Sequence, residues 1–215
     1  MDLMRLKEER WNAWTHGIGT LLSAVGLLLL VERAGVYRHA AYTVSSTVYG
    51  ASFILLYISS TLLHSARSAR WIERFERLDH AAIFIAMAGS YTPFLVYAFP
   101  GLPGYAMLTL VWGLALTGIG LVRWIIRRFM PWGMIYYLLL GWLIVFLIGP
   151  LQSLLPPQGL AWLLAGGILY STGILFFVWR SLRYHHAVWH LFVLAGSGCH
   201  FITVYAYLVP AAPSH

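Results

Sequence analysis

Tyr184–His200, YHHAVWHLFVLAGSGCH, opens the last long apolar run of the chain, and its reading decides both the fold and the candidate chemistry. The run is long enough to cross a hydrocarbon core of about 30 Å, which takes about 20 helical residues. Read as a helix, it puts His186 and His190 one turn apart on one face, since residues four apart are neighbours there. That spacing suits two imidazoles holding one metal ion. An ionisable pair at the mouth of a membrane segment is a functional-site hypothesis. It needs a third ligand and a reactive group from elsewhere in the chain.

Working outward, the rest of the chain has the same character. Of its 215 residues 60% are hydrophobic and only 10% are charged, against about 25% charged in soluble domains. Six further apolar runs precede the last one, giving spans near residues 16–34, 41–64, 80–99, 105–124, 132–150, 159–179 and 185–208. This predicts an all-α membrane protein, a seven-transmembrane helix bundle forming one domain over residues 1–215. Pro100, Gly101, Pro103 and Gly104 mark one turn, and Pro150, Pro156 and Pro157 bound another. The charged stretch Ser65–Leu78 reads as a short amphipathic interfacial helix. The N-terminal segment lacks a small-residue cleavage site before the first run, so that run is expected to be retained. Cys199 is the single cysteine, which excludes an internal disulfide.

The net charge is +7. A basic balance can signal nucleic acid, but here the cations sit at the edges of apolar runs, where topology and anionic headgroups account for them. Arg5, Lys7, Arg10, Arg67, Arg70, Arg74, Arg77, Arg123, Arg127, Arg128, Arg180 and Arg183 fall on alternate loops, while the opposite side has only Arg33 and Arg38. The positive-inside rule then expects a cytoplasmic N-terminus and, after seven spans, an outside C-terminus in a multi-pass cell-membrane protein.

That topology sorts the polar residues by depth. His64 ends the second span on the cytoplasmic side, Asp79 and His80 open the third there, and His186 and His190 open the seventh. Three segments far apart in sequence thus deliver metal-type ligands to one level. His64, His186 and His190 form a candidate zinc set of three neutral imidazoles with a fourth position left for water. Ala187 follows His186, so the glutamate of a zinc-protease helix is missing. Asp79, the only aspartate besides Asp2, is the candidate proton acceptor, and Ser60, one turn before His64, the candidate partner for the water or an oxyanion. Each residue has a plainer reading by itself: interfacial snorkelling for the histidines, an N-cap for Asp79, helix packing for Ser60. The shared depth favours the site. His200 lies fourteen residues beyond His186, about 21 Å along a helix, and drops out of the cluster; His80, about 100° round the helix from Asp79, reads as lying behind the ligands or facing lipid, His185 faces away from the pair, and His39 and His215 read as loop and tail residues. Glu9, Asn12 and His16 recur at helical intervals, which fits capping or inter-helix hydrogen bonds first, and a role behind the ligands or toward a substrate headgroup second. Gly17, Gly19, Gly89 and Ser90 read as sites of close helix approach, and Pro93 as a kink.

Four stretches carry a resemblance to a known family: EERWNAWTHGIG at Glu8–Gly19, SSTLLHS at Ser59–Ser65, LDHAAIFIAMAGSYTPF at Leu78–Phe94, and HAVWHLFVLAGSGCHF at His186–Phe201. In this order, with seven spans between them, they resemble the bacterial hemolysin III family, the prokaryotic branch of the progestin and adipoQ receptor family. The resemblance implies a zinc ion near the cytoplasmic leaflet on His64, His186 and His190, with Asp79 and Ser60 beside it. It also implies a link to the alkaline ceramidases, and so to hydrolysis of a lipid amide or ester with a membrane lipid as substrate. Two rivals stand beside this: a non-catalytic membrane-homeostasis or sensor protein with structural zinc, and a pore-forming hemolysin. The pore is the weaker, because no row of charges lines one helix.

Overall fold

The computed structural model describes residues 3–99, 101–128 and 130–211. Asp2, Pro100 and His215, with the side chains of Arg5, Arg127 and Arg128, lie outside the described residues. Helices α1 (Leu3–Gly35), α2 (Ala40–Ser65), α3 (Ala69–Ala98), α4 (Leu102–Arg128), α5 (Met130–Gly141), α6 (Ile148–Leu154), α7 (Pro157–Val178) and α8 (His185–Ile202) make up almost all of the described chain. Seven segments are long and apolar enough to cross a membrane; α5 and α6 share one, Gly133–Leu154, joined by the tighter 3-10 turns Trp142–Leu147. Lipid supplies no hydrogen-bond partners, so an apolar chain in it satisfies its backbone within helices. The outer faces carry exposed Leu21, Leu28, Leu139, Phe146, Ile168 and Leu175, as a lipid-facing surface requires. The inner faces bury Leu30, Phe84, Phe94, Leu95, Leu151 and Leu208.

Two helices start earlier than hydropathy indicates. Helix α1 runs from Leu3 rather than residue 16, and α3 from Ala69 rather than residue 80. The charged stretch after Ser65 is therefore not a separate interfacial helix: its residues from Ala69 onward are the first turns of α3. Ser68 caps it, its hydroxyl accepting from the Trp71 N–H at 3.4 Å. Inside, Glu73 and Arg77 pair across one turn at 3.8 Å, and Trp71 stacks on Phe75. Charge marks where such a helix leaves the bilayer, not where it ends. Asp79 consequently lies well inside α3 and is not its N-cap.

Neighbours pack in the order α1 against α2, α2 against α3, α3 against α4, and α7 against α8, with α8 returning to α1 and α5 touching α3, α4 and α7. Gly19 allows the α1 crossing: a Cβ there would stand 2.8 Å from side-chain carbons of both Tyr57 and Leu194. Gly17, by contrast, has only an ordinary contact with Thr61, at 3.9 Å. The 3-10 turns of the fifth span are completed by Tyr91 of α3, whose hydroxyl accepts from the Ile144 N–H at 2.9 Å and donates to the Gly141 carbonyl at 2.7 Å. The C-terminal end of α2 and the N-terminal ends of α1, α3 and α8 meet at one end of the bundle, and there the histidines converge.

Candidate metal centre

His64 occupies the last turn of α2, and His186 and His190 the first two turns of α8. Helix α1 packs against both α2 and α8, and it brings the three imidazoles together. One ligand atom from each lies within 4.8 Å of the others. Their ring centroids are 4.6 to 5.1 Å apart. Nitrogens bound to one tetrahedral zinc at about 2.0 Å stand roughly 3.3 Å apart, so side-chain rotation suffices to close the set.

The hydrogen bonds behind the rings decide which nitrogen faces the middle. The Nδ1 of His64 is 2.7 Å from the Glu9 carboxylate. A carboxylate accepts, so Nδ1 carries the proton and Nε2 the lone pair. That Nε2 is buried and has no partner among the described residues, an orphaned acceptor in a place where such groups are costly. The Nδ1 of the almost fully buried His190 (2% exposed) lies 3.2 Å from the Asn12 carbonyl and 3.0 Å from the Thr15 hydroxyl. The Thr15 proton goes to a carbonyl of its own helix, Trp11 or Asn12, both at 2.9 Å. Thr15 therefore accepts from His190, whose Nε2 is likewise the free nitrogen. Two neutral imidazoles held this way, with His186 beside them, are a donor set that fits a divalent metal.

Ser60 is fully buried on α2, and Asp79 is half-buried on α3. Their side chains interact, with His64 in electrostatic reach of the carboxylate. Both line a cavity of about 400 Å³ that His186 and His190 also line, and that runs between α2, α3, α5, α7 and α8 among mostly apolar side chains such as Phe94 and Leu163. His80 lines it too, its Nδ1 3.1 Å from the Tyr137 hydroxyl, so it does not face lipid. The His185 Nδ1 is 3.1 Å from the Phe177 carbonyl; the residue lines the same cavity but is not one of the three clustered ligand candidates. His200 lies outside the cluster as the spacing predicts, though it borders the far part of the same cavity. His39 precedes α2 with its ring against Tyr42.

The EERWNAWTH motif gains a specific placement. Glu9 and the Asn12 carbonyl hold the rings of two candidate ligands, and His16 stacks on His190 at 3.5 Å between centroids and 12° between planes. Thr15 went unnoticed in the sequence, although it lies three residues after Asn12 on the same face. Glu76, one turn before Asp79, also lines the cavity; its place in a charged stretch disguised it.

A family model described as Haemolysin-III related matches residues 4–201. Hemolysin-3 of Bacillus cereus is 45% identical over 207 residues, covering 96% of this chain and 94% of its own. The Hemolysin-3 homolog of Bacillus subtilis (strain 168) is 44% identical, covering 96% and 97%. A weaker similarity reaches the human Monocyte to macrophage differentiation factor, 26% identical over 94% of this chain and 84% of that protein.

Proposed function

We propose that this chain, which belongs to the haemolysin-III related family, is a zinc-dependent membrane hydrolase of a lipid amide or ester that contributes to membrane lipid homeostasis. The observation that carries this reading is the meeting of three imidazoles, two of which, His186 and His190, line the same largely apolar cavity as the Asp79–Ser60 pair. His64, His186 and His190 would hold the metal. Bound there, zinc supplies Lewis-acid polarisation and activates water near neutral pH. The chain's own groups divide the rest. The apolar wall takes the acyl chain and excludes bulk water. Asp79 receives the proton as the oxygen of water adds to the lipid carbonyl carbon, and returns it to the departing amine or alkoxide as the carbon–nitrogen or carbon–oxygen bond breaks. Ser60 donates its one hydroxyl proton to the ionised carboxylate, and turns it to the oxyanion once Asp79 has taken the water's proton. The arginine-rich end of the bundle is placed in the cytoplasm by charge, which puts the site at the inner leaflet of the cell membrane.

Elemental analysis paired with lipid turnover tests this. The wild-type protein is expected to carry one zinc per chain. His186→Ala loses it, and Asp79→Asn keeps it while losing turnover. Metal-replete protein without turnover on any lipid amide or ester defeats the reading.

One observation favours the non-catalytic alternative. His16 is a further buried imidazole beside the cluster, and neither of its nitrogens has a hydrogen-bond partner among the described residues. Its ring lies nearly parallel to His190, so both lone pairs meet one ion only if the ring turns. A closed four-imidazole shell would mark a structural site, and a three-imidazole shell with water a catalytic one; X-ray absorption on the metal-loaded protein separates them.

A further inference from the structure

The cavity continues beyond Val193 to Tyr170 of α7 and His200 of α8. Ten residues of helix separate His190 from His200, about 15 Å at 1.5 Å per residue. The His200 ring is seated against Gly166, where a Cβ would overlap its Cδ2 and crowd its Nε2. Only a glycine admits the imidazole there.

The hydrogen bonds of this end leave a one-sided chemistry. His200 Nε2 is 3.2 Å from the Leu163 carbonyl. A carbonyl accepts, so Nε2 carries the proton, and Nδ1 of the neutral ring is an acceptor. The Ser197 hydroxyl donates to the Val193 carbonyl at 2.8 Å. With its one proton committed, Ser197 accepts from both Tyr57, at 2.5 Å, and Tyr170, at 2.8 Å. The Tyr170 proton is thereby used as well, and its oxygen retains only lone pairs. On this wall Ser171 is already paired, accepting from Trp142 and donating to the Gly167 carbonyl, whereas His200 and Tyr170 offer acceptors, set among Phe94, Leu163 and Val193. Acceptors without a donor are costly in so apolar a place.

We infer that the deep end of the cavity is a binding subsite for an O–H donor carried on a lipid chain, roughly 15 Å from the histidine cluster along α8, with His200 Nδ1 and Tyr170 Oη accepting. The inference rests on the proposed role of the cavity as a lipid site, and not on hydrolysis. An ordered water would offer the same donor, and the experiment distinguishes the two.

The test is competition binding on the full chain in detergent micelles or nanodiscs. A fluorescent fatty acid is displaced by octadecanoic acid, unsubstituted or bearing a single hydroxyl at successive positions. The expected result is one hydroxyl position that binds about five-fold more tightly than the unsubstituted acid, the worth of a typical buried hydrogen bond. That preference disappears in His200→Phe and Tyr170→Phe, with metal content unchanged. If His200→Phe does not fold, Tyr170→Phe decides, because it removes one oxygen and leaves Ser197 bonded to Val193 and Tyr57. Equal affinity at every hydroxyl position assigns the donor to water and overturns the proposal, as does a preference that survives Tyr170→Phe. Failure of the hydrolase reading would register separately, as absent turnover with the positional preference intact.

Discussion

Glu9 is the most informative residue to change, because it touches a ligand candidate without being one. Its carboxylate stands 2.7 Å from His64 Nδ1, short for a hydrogen bond and charge-assisted. It fixes the tautomer that leaves Nε2 free, and its negative charge adds to the attraction for a cation on that nitrogen. Changes to such partners typically lower metal affinity by 10- to 100-fold. The Glu9 side chain is 35% exposed while that of His64 is 8% exposed, so solvent screens part of the charge contribution. Glu9→Gln keeps an acceptor for Nδ1–H and loses only the charge, which places it near ten-fold. Glu9→Ala releases the ring as well and belongs near 100-fold. The assay is competition for zinc with a chelator of known affinity, on purified protein whose helicity and melting temperature match the wild type. An affinity within two-fold of wild type for both variants would refute the assignment of Glu9 as the orienting partner of His64.

Thr15→Val removes one of two acceptors for His190 Nδ1 and leaves the Asn12 carbonyl in place. Metal affinity should fall by less than in Glu9→Ala, by about two- to ten-fold in the same chelator assay. Gly89→Ala would push a methyl group into Ser52, whose Cβ would be 2.7 Å away across the α2–α3 contact. The expected cost is about 1–3 kcal/mol, read as a lower melting temperature with the metal site's composition unchanged. Arg70→Cys in a chain whose Cys199 is replaced by Ala should label with a membrane-impermeant maleimide only when the cytoplasmic side is open, and His39→Cys only from the other side. Labelling in the opposite sense would invert the topology drawn from charge.

Much of this arrangement was legible in the sequence because lipid imposes strong rules. The seven spans follow from apolar length, and all seven are found as membrane-length helices. The grouping of His64 with His186 and His190 follows from depth, which topology converts into proximity once three helices end on one side. Depth does not report the angle around each helix axis, and that is where the sequence ran short. It could not tell that Thr15 faces His190, or that His16 stacks on it. Nor could hydropathy locate the start of α3, because Glu73, Arg74, Glu76 and Arg77 form helix as readily in water as leucines do in lipid. The network of Tyr57, Ser197 and Tyr170 was invisible for a related reason: each reads as an isolated polar residue in an apolar run, and only the packing of α2, α7 and α8 unites them.

Helix α1 has a disproportionate part in this design. It turns Leu21 and Leu28 outward to the lipid and is mostly unburied within the bundle, yet Asn12, Thr15 and His16 on its inner face are all buried against the site. The candidate ligands belong to α2 and α8, and α1 packs against both. Through Glu9 it sets the ring of His64, and through Asn12 and Thr15 it sets that of His190, so one helix fixes the tautomers of candidate ligands more than a hundred residues apart. Glu8 adds a third tie, accepting from the Tyr184 N–H at 3.3 Å, at the left-handed residue that begins α8. A small shift of α1 along its axis would therefore disturb both ligands together, whereas a shift of α7 would reach only α8. This explains, in physical terms, why the polar residues of the first span are concentrated in its first turns: they are spaced to meet two other helices at the depth where those helices present their histidines.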